Sequence, residues 1–347
     1  MDHPSDLPRT DTMVITGASG WLGQNLVRAV APERSAVRCL VRTDAEAALL
    51  SVVGPSVQPI LGDVRDPVAL DRLLAGAAGA TVVHAAAIIH PEHRVQELHD
   101  VNVGGTQLVL DAARRHGAGR LVHISSNSPY GANPTPNHRF TESSPQHPYL
   151  GYGRSKADAE ALVKMAFERG DVESVVLRPP WFYGPFQPAR QTQWIRTVRR
   201  GRFPLVGDGH NRRSMVFTGN LVHGVLRAEV AAGAAGNQYW IADGDPLEMR
   251  QIIATVRAAL EAEGLAVSGS RQLRLPRLAG VVAEHVDGFL QGRGRYLQAV
   301  HVLGELKDTI ACDISLARDE LGYDPPTDLL EGMRVSIRWC VERGQQL

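Results

Sequence analysis

The sequence predicts an α/β fold built on a doubly wound parallel sheet, and three observations support it. Short apolar segments of strand length recur between residues 13 and 177, separated by segments with helical periodicity. Such alternation implies crossover connections and a parallel sheet that helices cover on both faces. Finally, the segment VITGASGWLG places three glycines directly after the first apolar segment and before the first helical one. This combination is typical of the Rossmann sheet.

The elements of this sheet follow in order along the chain. Leu22, Leu26 and Val30 have the spacing of one helix face, and Gly117 is a suitable C-terminal stop for a later helix. The predicted strands are residues 13–16, 36–41, 57–61, 80–84, 121–124 and 174–177.

The pattern changes at both ends of this region. Residues 1–11 are polar and contain two prolines, which predicts a flexible tail before a dinucleotide-binding domain over residues 12–178. The segment PPWFYGPFQPAR, which begins at residue 179, indicates a loop and the start of a smaller, mixed substrate-binding part over residues 179–347. The boundary is soft because the chain is free to return to the sheet near residues 238–242.

Composition excludes several classes of function. Lys plus Arg and Asp plus Glu both number 37, so no overall charge attracts nucleic acid or an anionic membrane, and a small-molecule partner is expected. Three isolated cysteines argue against a disulfide framework or a zinc site. The polar N-terminus resembles no signal peptide, and no apolar stretch approaches the length of a membrane span. We therefore expect a soluble, cytoplasmic protein.

The glycine segment predicts a dinucleotide site. Gly17 would allow a tight turn, Gly20 would let backbone N–H groups approach a pyrophosphate, and Gly23 would let helix and strand pack closely. The helix that follows would direct its free N–H groups and positive dipole end at the phosphates.

The end of the second strand bears on which dinucleotide binds. A carboxylate there would accept a ribose hydroxyl, whereas an arginine suits the 2′-phosphate of NADP. Arg42 stands in this position, so NADP is the expected cofactor. Asp44 lies only two residues further on and leaves NAD as the alternative.

A catalytic pair is predicted at the start of a helix near residue 152. Tyr152 and Lys156 lie four residues apart and share a helix face. A tyrosine has a reference pKa of about 10, and lowering it to about 7 requires roughly 4 kcal/mol of phenolate stabilisation. A nearby ammonium and the positive nicotinamide ring would supply it. Ser126 follows a strand end and could hold a substrate oxygen beside Tyr152.

These residues belong to a series of motifs that resembles the extended short-chain dehydrogenases/reductases, which include nucleotide-sugar epimerases, dehydratases and 3β-hydroxysteroid dehydrogenase-like enzymes. The resemblance extends from about residue 12 to residue 341. It rests on TGASGWLG (16–23), Asp63-Val64, HAAA (84–87), NVGGT (102–106), SSNSPYG (125–131), Tyr152-x-x-x-Lys156, RPPWFYGP (178–185) and the ending ACDISLARDELGYDP…EGMRVSIRW (311–339).

The resemblance implies roles for particular residues. Ser126, Tyr152 and Lys156 match the catalytic serine, the general acid/base and the ribose-binding lysine, and Asn102 resembles a helix asparagine that shapes the site. A homodimer is also implied by the resemblance. The implied cofactor contacts are Gly17, Ser19, Gly20, Trp21, Leu22, Gly23, Arg42, Asp63, Val64, Ala85, Ala86, Ala87, Tyr152, Lys156, Pro179 and Trp181.

Substrate contacts are less sharply indicated. Ser128 follows the catalytic serine, His90 follows the fourth strand, and Arg212 or Arg213 resembles an arginine that often meets a nucleotide phosphate. The HPEH segment at residues 90–93 has metal-like spacing, but it supplies too few ligands for zinc, so no metal is expected.

One departure from the family narrows the reaction. Sugar 4,6-dehydratases of this group usually carry an Asp-Glu pair after the catalytic Ser/Thr position, and here Asn127 and Ser128 follow Ser126. The sequence thus predicts an NADP-dependent oxidoreductase that interconverts a secondary alcohol and a ketone on a sugar nucleotide or another small metabolite. The alternatives are a nucleotide-sugar epimerase that retains NAD and a dinucleotide-sensing protein without catalysis.

Overall fold

A computed structural model describes residues 6–91, 94–268 and 273–347. Its strands are β1 (Thr12–Thr16), β2 (Ala36–Val41), β3 (Val57–Leu61), β4 (Thr81–His84), β5 (Arg120–Ile124), β6 (Glu173–Arg178), β7 (Trp181–Tyr183), β8 (Leu205–Val206), β9 (Arg212–Arg213), β10 (Met215–Phe217), β11 (Gln238–Trp240), β12 (Leu247–Glu248) and β13 (Arg274–Leu275).

The α-helices surround these strands. They are α1 (Trp21–Val30), α2 (Asp44–Ser51), α3 (Pro67–Leu74), α4 (Gln96–His99), α5 (Gly105–Arg115), α6 (Leu150–Glu168), α7 (Ala189–Arg199), α8 (Thr218–Val230), α9 (Met249–Ala262), α10 (Arg277–Gln291), α11 (Gln298–Glu305), α12 (Ser315–Leu321) and α13 (Leu329–Glu342). None of the described helices is long and apolar enough to cross a membrane.

A seven-stranded sheet forms the centre of the protein, in the order β11-β6-β5-β4-β1-β2-β3. Every neighbouring pair is parallel. The six strands predicted from the sequence are confirmed to within one residue at each end. The seventh, β11, lies where the sequence allows the chain to return, so the sheet receives a strand from beyond residue 179.

Apolar side chains on both faces of the sheet explain why its strands lack a polar alternation. Val83 packs in the core that contains Leu26 of α1 and Leu221 of α8. Its neighbour Val82 faces the opposite core, with Leu110 of α5. Because successive residues of a strand point to opposite faces, burial on both sides requires a continuous apolar run.

The smaller part has a core of its own. It is formed by apolar residues of α7, α9 and α13, including Ile195, Ile253 and Ile337. The short strand pairs β10–β7, β12–β9 and β13–β8 lie outside the main sheet.

Part of the predicted N-terminal tail is held against the sheet domain. Residues 1–5 lie outside the described residues. Asp6 forms an ion pair with Arg227 of α8 at 2.8 Å, and the Leu7 N–H donates to the Val230 carbonyl. The Thr10 hydroxyl donates to Glu229. Residues 6–11 are therefore anchored to α8.

Candidate active site

The glycine turn between β1 and α1 is shaped by two close backbone approaches. Gly17 has a φ of +72°, and a Cβ at this position would lie 2.6 Å from the Ala86 nitrogen. A Cβ on Gly23 would lie 2.1 Å from the Gly17 carbonyl oxygen. Both positions require glycine, so α1 packs directly against the turn and the turn against the end of β4.

The N-terminus of α1 suits an anionic group. Gly20 precedes the helix, and within the described chain no side chain caps it and no acidic residue occupies the first turn. The first N–H groups of a helix lack intrahelical partners, so they and the helix dipole favour a negative ligand here. Gly20 is exposed beside these donors. The turn therefore fits the diphosphate of a dinucleotide.

The neighbouring residues of α1 face away from the turn. Leu22 is buried in the core. The Trp21 indole N–H donates to the carbonyls of Gly184 and Pro185, at 3.2 Å and 3.0 Å. Trp21 thereby ties α1 to the loop after β7.

A carboxylate and an arginine meet at the end of β2. Arg42 donates to Glu46 through its backbone N–H at 2.7 Å and through its guanidinium at 3.0 Å. Thr43 caps α2 by accepting the Glu46 N–H. Burial raises the pKa of Glu46, but its hydrogen bonds with Arg42 and the Arg42 charge, with a smaller effect of the Ser19 hydroxyl, lower it overall. Glu46, rather than Asp44, is thus the acidic side chain that contacts Arg42 and lies near the glycine turn.

The remaining predicted cofactor contacts surround the same edge of the sheet. Asp63 follows β3 and forms hydrogen bonds with Arg65, which lower the pKa of its carboxyl group despite partial burial. Val64 is buried against Gly105. Ala85 and Ala86 line the turn at the end of β4, and Ala87 is exposed beside them.

Ser126, directly after β5, and Tyr152, in the first turn of α6, interact through their hydroxyl groups. Burial raises the pKa of Tyr152 to about 12, while the Ser126 hydroxyl and the charge of Arg190 act in the opposite direction. Ser126 also accepts the Ser128 N–H, and the two hydroxyl oxygens lie 3.2 Å apart. The phenol is therefore protonated at neutral pH and positioned by a hydroxyl that follows β5.

Lys156 lies one helical turn after Tyr152 in α6, and its buried ammonium contacts the end of β5. Its Nζ donates to the Ile124 carbonyl at 2.8 Å and lies 3.3 Å from His123 Nε2. Burial lowers the pKa of Lys156 to about 8, against the raising effect of the Glu160 charge. Two of the three ammonium donors are thus committed to β5, which leaves one for a ribose hydroxyl or for Tyr152.

A row of buried polar side chains continues from Lys156 across the sheet. His84 pairs with His123 in strand register, and the two rings are 5.3 Å apart. His84 is hydrogen-bonded to Thr16 at 2.7 Å and to Thr106 at 2.9 Å. Burial and the Lys156 charge lower the pKa values of both histidines, that of His84 to about 3. Both rings are therefore neutral, and His123 can accept from a charged Lys156.

Asn102 has a structural position between the cofactor edge and α6. It lies in a π-helical turn over Asp100–Gly104. Its side chain accepts the Ile88 N–H and donates to the Ile88 carbonyl and to Ser155, each at 2.9 Å. Asn102 thereby fixes the loop after β4 against α6.

His90, predicted as a substrate contact, lies in a polar cluster with residues from the smaller part. His90 Nδ1 is hydrogen-bonded to the Tyr296 hydroxyl. Burial lowers the pKa of His90 to about 4, and the charges of Arg190 and His301 add to this effect. The charge of Arg190 also acts on Tyr152. Arg190 and Tyr296 therefore lie in the neighbourhood of Tyr152.

The two predicted substrate arginines differ in position. Arg213 is buried and donates to the Glu305 carbonyl. Its Nε finds no partner among the described residues. Arg212 is half-buried on β9, and its backbone N–H donates to Thr309. Arg213 is thus directed at the backbone of α11, at Glu305.

The two predicted cofactor contacts after β6, Pro179 and Trp181, differ in how deeply they are buried. Pro179 is buried directly after Arg178. Trp181 lies 4.8 Å from Trp194 between ring centroids, and its indole N–H donates to Gln191. Trp181 is therefore packed on α7, next to Arg190.

Four residues of this region were not anticipated: His123, Glu46, Arg190 and Tyr296. Thr43-x-x-Glu46 has the spacing of a capping box and would have indicated Glu46. A histidine inside the apolar segment LVHI signals a buried polar partner near His123. Arg190 and Tyr296 belong to no motif, because the fold brings them to the candidate site from distant positions.

No group of three or more potential metal ligands occurs within residues 6–91, 94–268 and 273–347. His93, the second histidine of HPEH, lies outside the described residues. The three cysteines are free and buried.

Comparisons with known proteins agree with this geometry. The sequence profile of the NAD dependent epimerase/dehydratase family matches residues 13–242. The chain is 34% identical over 316 residues to 4-hydroxy-2-methyl-3-oxo-4-farnesyl-3,4-dihydroquinoline-1-oxide ketoreductase of Stigmatella aurantiaca, covering 89% of this chain and 90% of the relative. It is 30% identical over 343 residues to 2-alkyl-3-oxoalkanoate reductase of Stenotrophomonas maltophilia, covering 93% and 97%.

A solved structure shows the same architecture. It is the dTDP-glucose 4,6-dehydratase from Streptomyces venezuelae with NAD bound, 26% identical, with a TM-score of 0.72 and coverage of 96% of this chain and 98% of that chain. The match therefore extends over both the sheet and the smaller part. The chain belongs to the NAD dependent epimerase/dehydratase family, and it is an enzyme of the extended short-chain dehydrogenase/reductase group.

Proposed function

We propose that the protein is an NADP-dependent oxidoreductase that interconverts a secondary alcohol and a ketone on a small metabolite. The observation that carries the proposal is the pair of Ser126 and Tyr152, whose hydroxyl groups interact, with Lys156 one turn further along the same helix. The pair lies at the carboxyl ends of the parallel strands, where sheets of this type bind their ligands.

Each residue of this group has a separable role in ketone reduction. When bound, the nicotinamide supplies the hydride. The Ser126 hydroxyl orients the carbonyl oxygen, and Tyr152 donates its phenolic proton to that oxygen as negative charge develops. The raised pKa of Tyr152 keeps this proton in place until then. Lys156, fixed by Ile124 and His123, presents its remaining N–H to a ribose hydroxyl and stabilises the phenolate left on Tyr152.

Carbonyl reduction is favoured by the two curated relatives described above, whose names are those of a ketoreductase and an oxoalkanoate reductase. Asn127 and Ser128 supply no carboxylate beside Ser126 for the elimination of water. The alternative is an epimerase that retains NAD and shows no net redox change. The same constellation serves both reactions, and the family to which the chain belongs includes epimerases.

The substrate is proposed to bind between the cluster of His90 and Tyr296 and the start of α7. This position would make residues 179–347 the substrate-binding part, since they supply Tyr296 and Arg190. No described carboxylate forms an ion pair with Arg190, so its guanidinium is available to a polar or anionic group of the substrate.

We propose NADP as the cofactor because the Arg42 side chain is 70% exposed at the end of β2. Its guanidinium can turn towards a 2′-phosphate at little cost, since a surface ion pair such as Arg42–Glu46 contributes only about 0–1 kcal/mol. Glu46 opposes the choice, because its carboxylate repels phosphate and suits a free ribose hydroxyl. The preference is therefore set by the balance between these two side chains.

The catalytic proposal is tested by turnover on a panel of ketones with NADPH. Tyr152→Phe should lower kcat by about 10²–10⁴-fold, because the proton donor is lost. Tyr149→Phe is the matched control: its buried hydroxyl has no hydrogen-bond partner among the described residues, so its removal should leave kcat unchanged. Turnover that survives in Tyr152→Phe would refute the assigned role.

The cofactor proposal is tested by binding rather than by activity. Dinucleotide released on denaturation is identified by mass spectrometry, and the emptied protein is titrated with NADPH and NADH. Arg42→Ala should weaken NADPH about tenfold or more and leave NADH unchanged, given the strength of an ionic hydrogen bond. Glu46→Gln should strengthen NADPH. Tightly retained NAD would instead support the epimerase.

A further inference from the structure

Helix α10 exposes its large apolar residues, whereas an ordinary surface helix buries them. Its buried positions are Gly280, Ala283, Asp287 and Gln291, which are small or polar. Its large apolar residues face outward: Leu278 is 68% exposed, Val282 54%, Val286 43% and Phe289 58%. We call these four residues the apolar stripe. Their spacing of four, four and three residues places them on one face of the helix.

Hydrogen bonds of the polar residues on the buried face of α10 explain why that face, and not the apolar one, packs against the protein. Asp287 is fully buried, pairs with His301 of α11 at 2.7 Å and accepts from Gln291 at 3.1 Å. Gln291 in turn accepts the Gly151 N–H at the start of α6. Turning the helix over would bury the apolar stripe only by exposing this network, so the stripe is a fixed feature of the surface.

Four arginines flank the apolar stripe, Arg274 and Arg277 before it and Arg293 and Arg295 after it. All four are exposed, and within the described chain none forms an ion pair. The Arg293 guanidinium stacks on Phe289 at 3.7 Å from the ring centroid. The segment's two carboxylates are both engaged: Asp287 is buried, and Glu284 pairs with Lys307 at 2.9 Å. Although the whole chain has a net charge of zero, the surface around α10 is therefore basic.

We propose that α10 docks on the surface of an anionic phospholipid bilayer, with the apolar stripe in the acyl boundary and the arginines at the headgroups. An apolar helix face bordered by basic residues is the arrangement that binds lying in a membrane interface. Basic residues near an anionic leaflet add electrostatic attraction. A second copy fits less well, because a two-fold contact across this face would bring like-charged arginines together.

The position of α10 connects this surface with the candidate active site. Gln291 hydrogen-bonds the residue next to Tyr152, and a Cβ added to Gly288 would lie 3.9 Å from the Leu150 side chain. A lipid-bound α10 would therefore hold the start of the catalytic helix close to the bilayer. This arrangement suits a lipophilic substrate that partitions into the membrane.

The test uses the full-length protein and vesicle flotation. Vesicles of equimolar phosphatidylglycerol and phosphatidylcholine are compared with vesicles of phosphatidylcholine alone. We expect binding to the anionic vesicles, at least tenfold weaker in the double variant Val282→Glu/Phe289→Glu. Arg293→Gln/Arg295→Gln should lose the preference for anionic lipid. The matched control is Val52→Glu/Val68→Glu, which alters exposed valines elsewhere and should bind like wild type.

Thermal unfolding of each variant establishes that it is folded, since all the substituted side chains are exposed. Equal binding of wild type to both vesicle types, or to neither, would overturn the proposal. So would a wild-type dimer that dissociates in Val282→Glu/Phe289→Glu without any vesicle binding, because the apolar stripe would then be an interface between copies. Both measurements are independent of the proposed oxidoreductase activity.

Discussion

At the scale of single residues, Lys156 shows how the site is built at a cost to stability. Its ammonium is 2% exposed between α6 and β5, and burial lowers its pKa from 10.5 to about 8. Below pH 8 the lysine is charged in both the folded and the unfolded protein, so folding pays for burying the charge. Between pH 8 and 10.5 the unfolded state binds more protons, and stability rises with pH.

Lys156→Met should therefore stabilise the protein at pH 7, by at most about 3 kcal/mol, while abolishing turnover. The gain in Tm should shrink as the pH approaches 10.5, because the unfolded lysine then also loses its proton. Tm is measured from pH 6 to pH 10.5 for wild type and variant.

Lys307→Met provides the contrast at this scale. Burial opposes the charge of Lys307, but Asp308 and Glu284 raise its pKa, so removing it should lower Tm at pH 7. Lys156→Met could instead destabilise the protein from pH 6 to pH 10.5. That result would mean that the hydrogen bonds of Lys156 to Ile124 and His123 contribute more free energy than burial of its charge costs.

Sequence alone was informative about some residues of the candidate site and not about others. Gly17, Tyr152 and Lys156 stand in local motifs, where a few neighbours along the chain determine the geometry. Arg190 and Tyr296 approach Tyr152 only after distant elements pack together. For Arg213 the sequence predicted a substrate contact, but its side chain is buried and donates to the Glu305 carbonyl. The sequence around residue 213 gives no sign of this contact.

At the scale of elements, the contact between α1 and the glycine turn governs how phosphate can be bound. The Gly17 carbonyl lies so near Gly23 that a Cβ there would be 2.1 Å away, and the second obstacle is the Ala18 backbone at 2.6 Å. Neither is the end of a flexible side chain. Any side chain at residue 23 must therefore move the whole helix away from β1.

We expect Gly23→Ala to weaken dinucleotide binding at least tenfold, because the N-terminus of α1 is displaced from the phosphates. Isothermal titration with NADPH measures the effect. Gly54→Ala is the control, as a Cβ there meets nothing within 4 Å. Equal affinity in Gly23→Ala and wild type would show that the position of α1 does not limit phosphate binding.

The strands were the easiest elements to predict, since a run such as residues 81–84 is buried on both faces and must be apolar throughout. β11 was only suggested as a return to the sheet. Three residues are too few to show a pattern, and the β6 residues with which they pair lie 62 positions earlier. The outward-facing α10 was not anticipated either, because apolar spacing is identical whether the apolar face is buried or exposed.

At the scale of the whole molecule, a buried ion pair ties the N-terminal segment to α8. Arg34 and Glu229 meet at 2.7 Å with side chains 2% and 1% exposed. Arg34 also donates to the Thr10 carbonyl, and the Thr10 hydroxyl donates to Glu229. Two separate stretches of the chain, at Thr10 and at Arg34, thus converge on one carboxylate of α8.

Glu229→Gln should lower the free energy of unfolding by about 3–5 kcal/mol, since it leaves a buried guanidinium without its counter-charge. Arg34→Met/Glu229→Leu should lose much less, because neither charge remains. Urea denaturation of Arg34→Met, Glu229→Leu and Arg34→Met/Glu229→Leu completes the double-mutant cycle. Additive losses would mean that the two side chains contribute independently.

The return of the chain to β6 also has a consequence for biosynthesis. Until residue 240 leaves the ribosome, β6 is an open sheet edge, because β11 is its only neighbour besides β5 in the described sheet. The helix α8 that covers this side, with Leu221 and Val225 in the core, is synthesised just before β11. A nascent chain paused between residues 178 and 218 would expose both an unpaired strand and an uncovered apolar face, a combination prone to aggregation. The interval from β6 to β11 is thus the stretch of translation in which a chaperone would matter most.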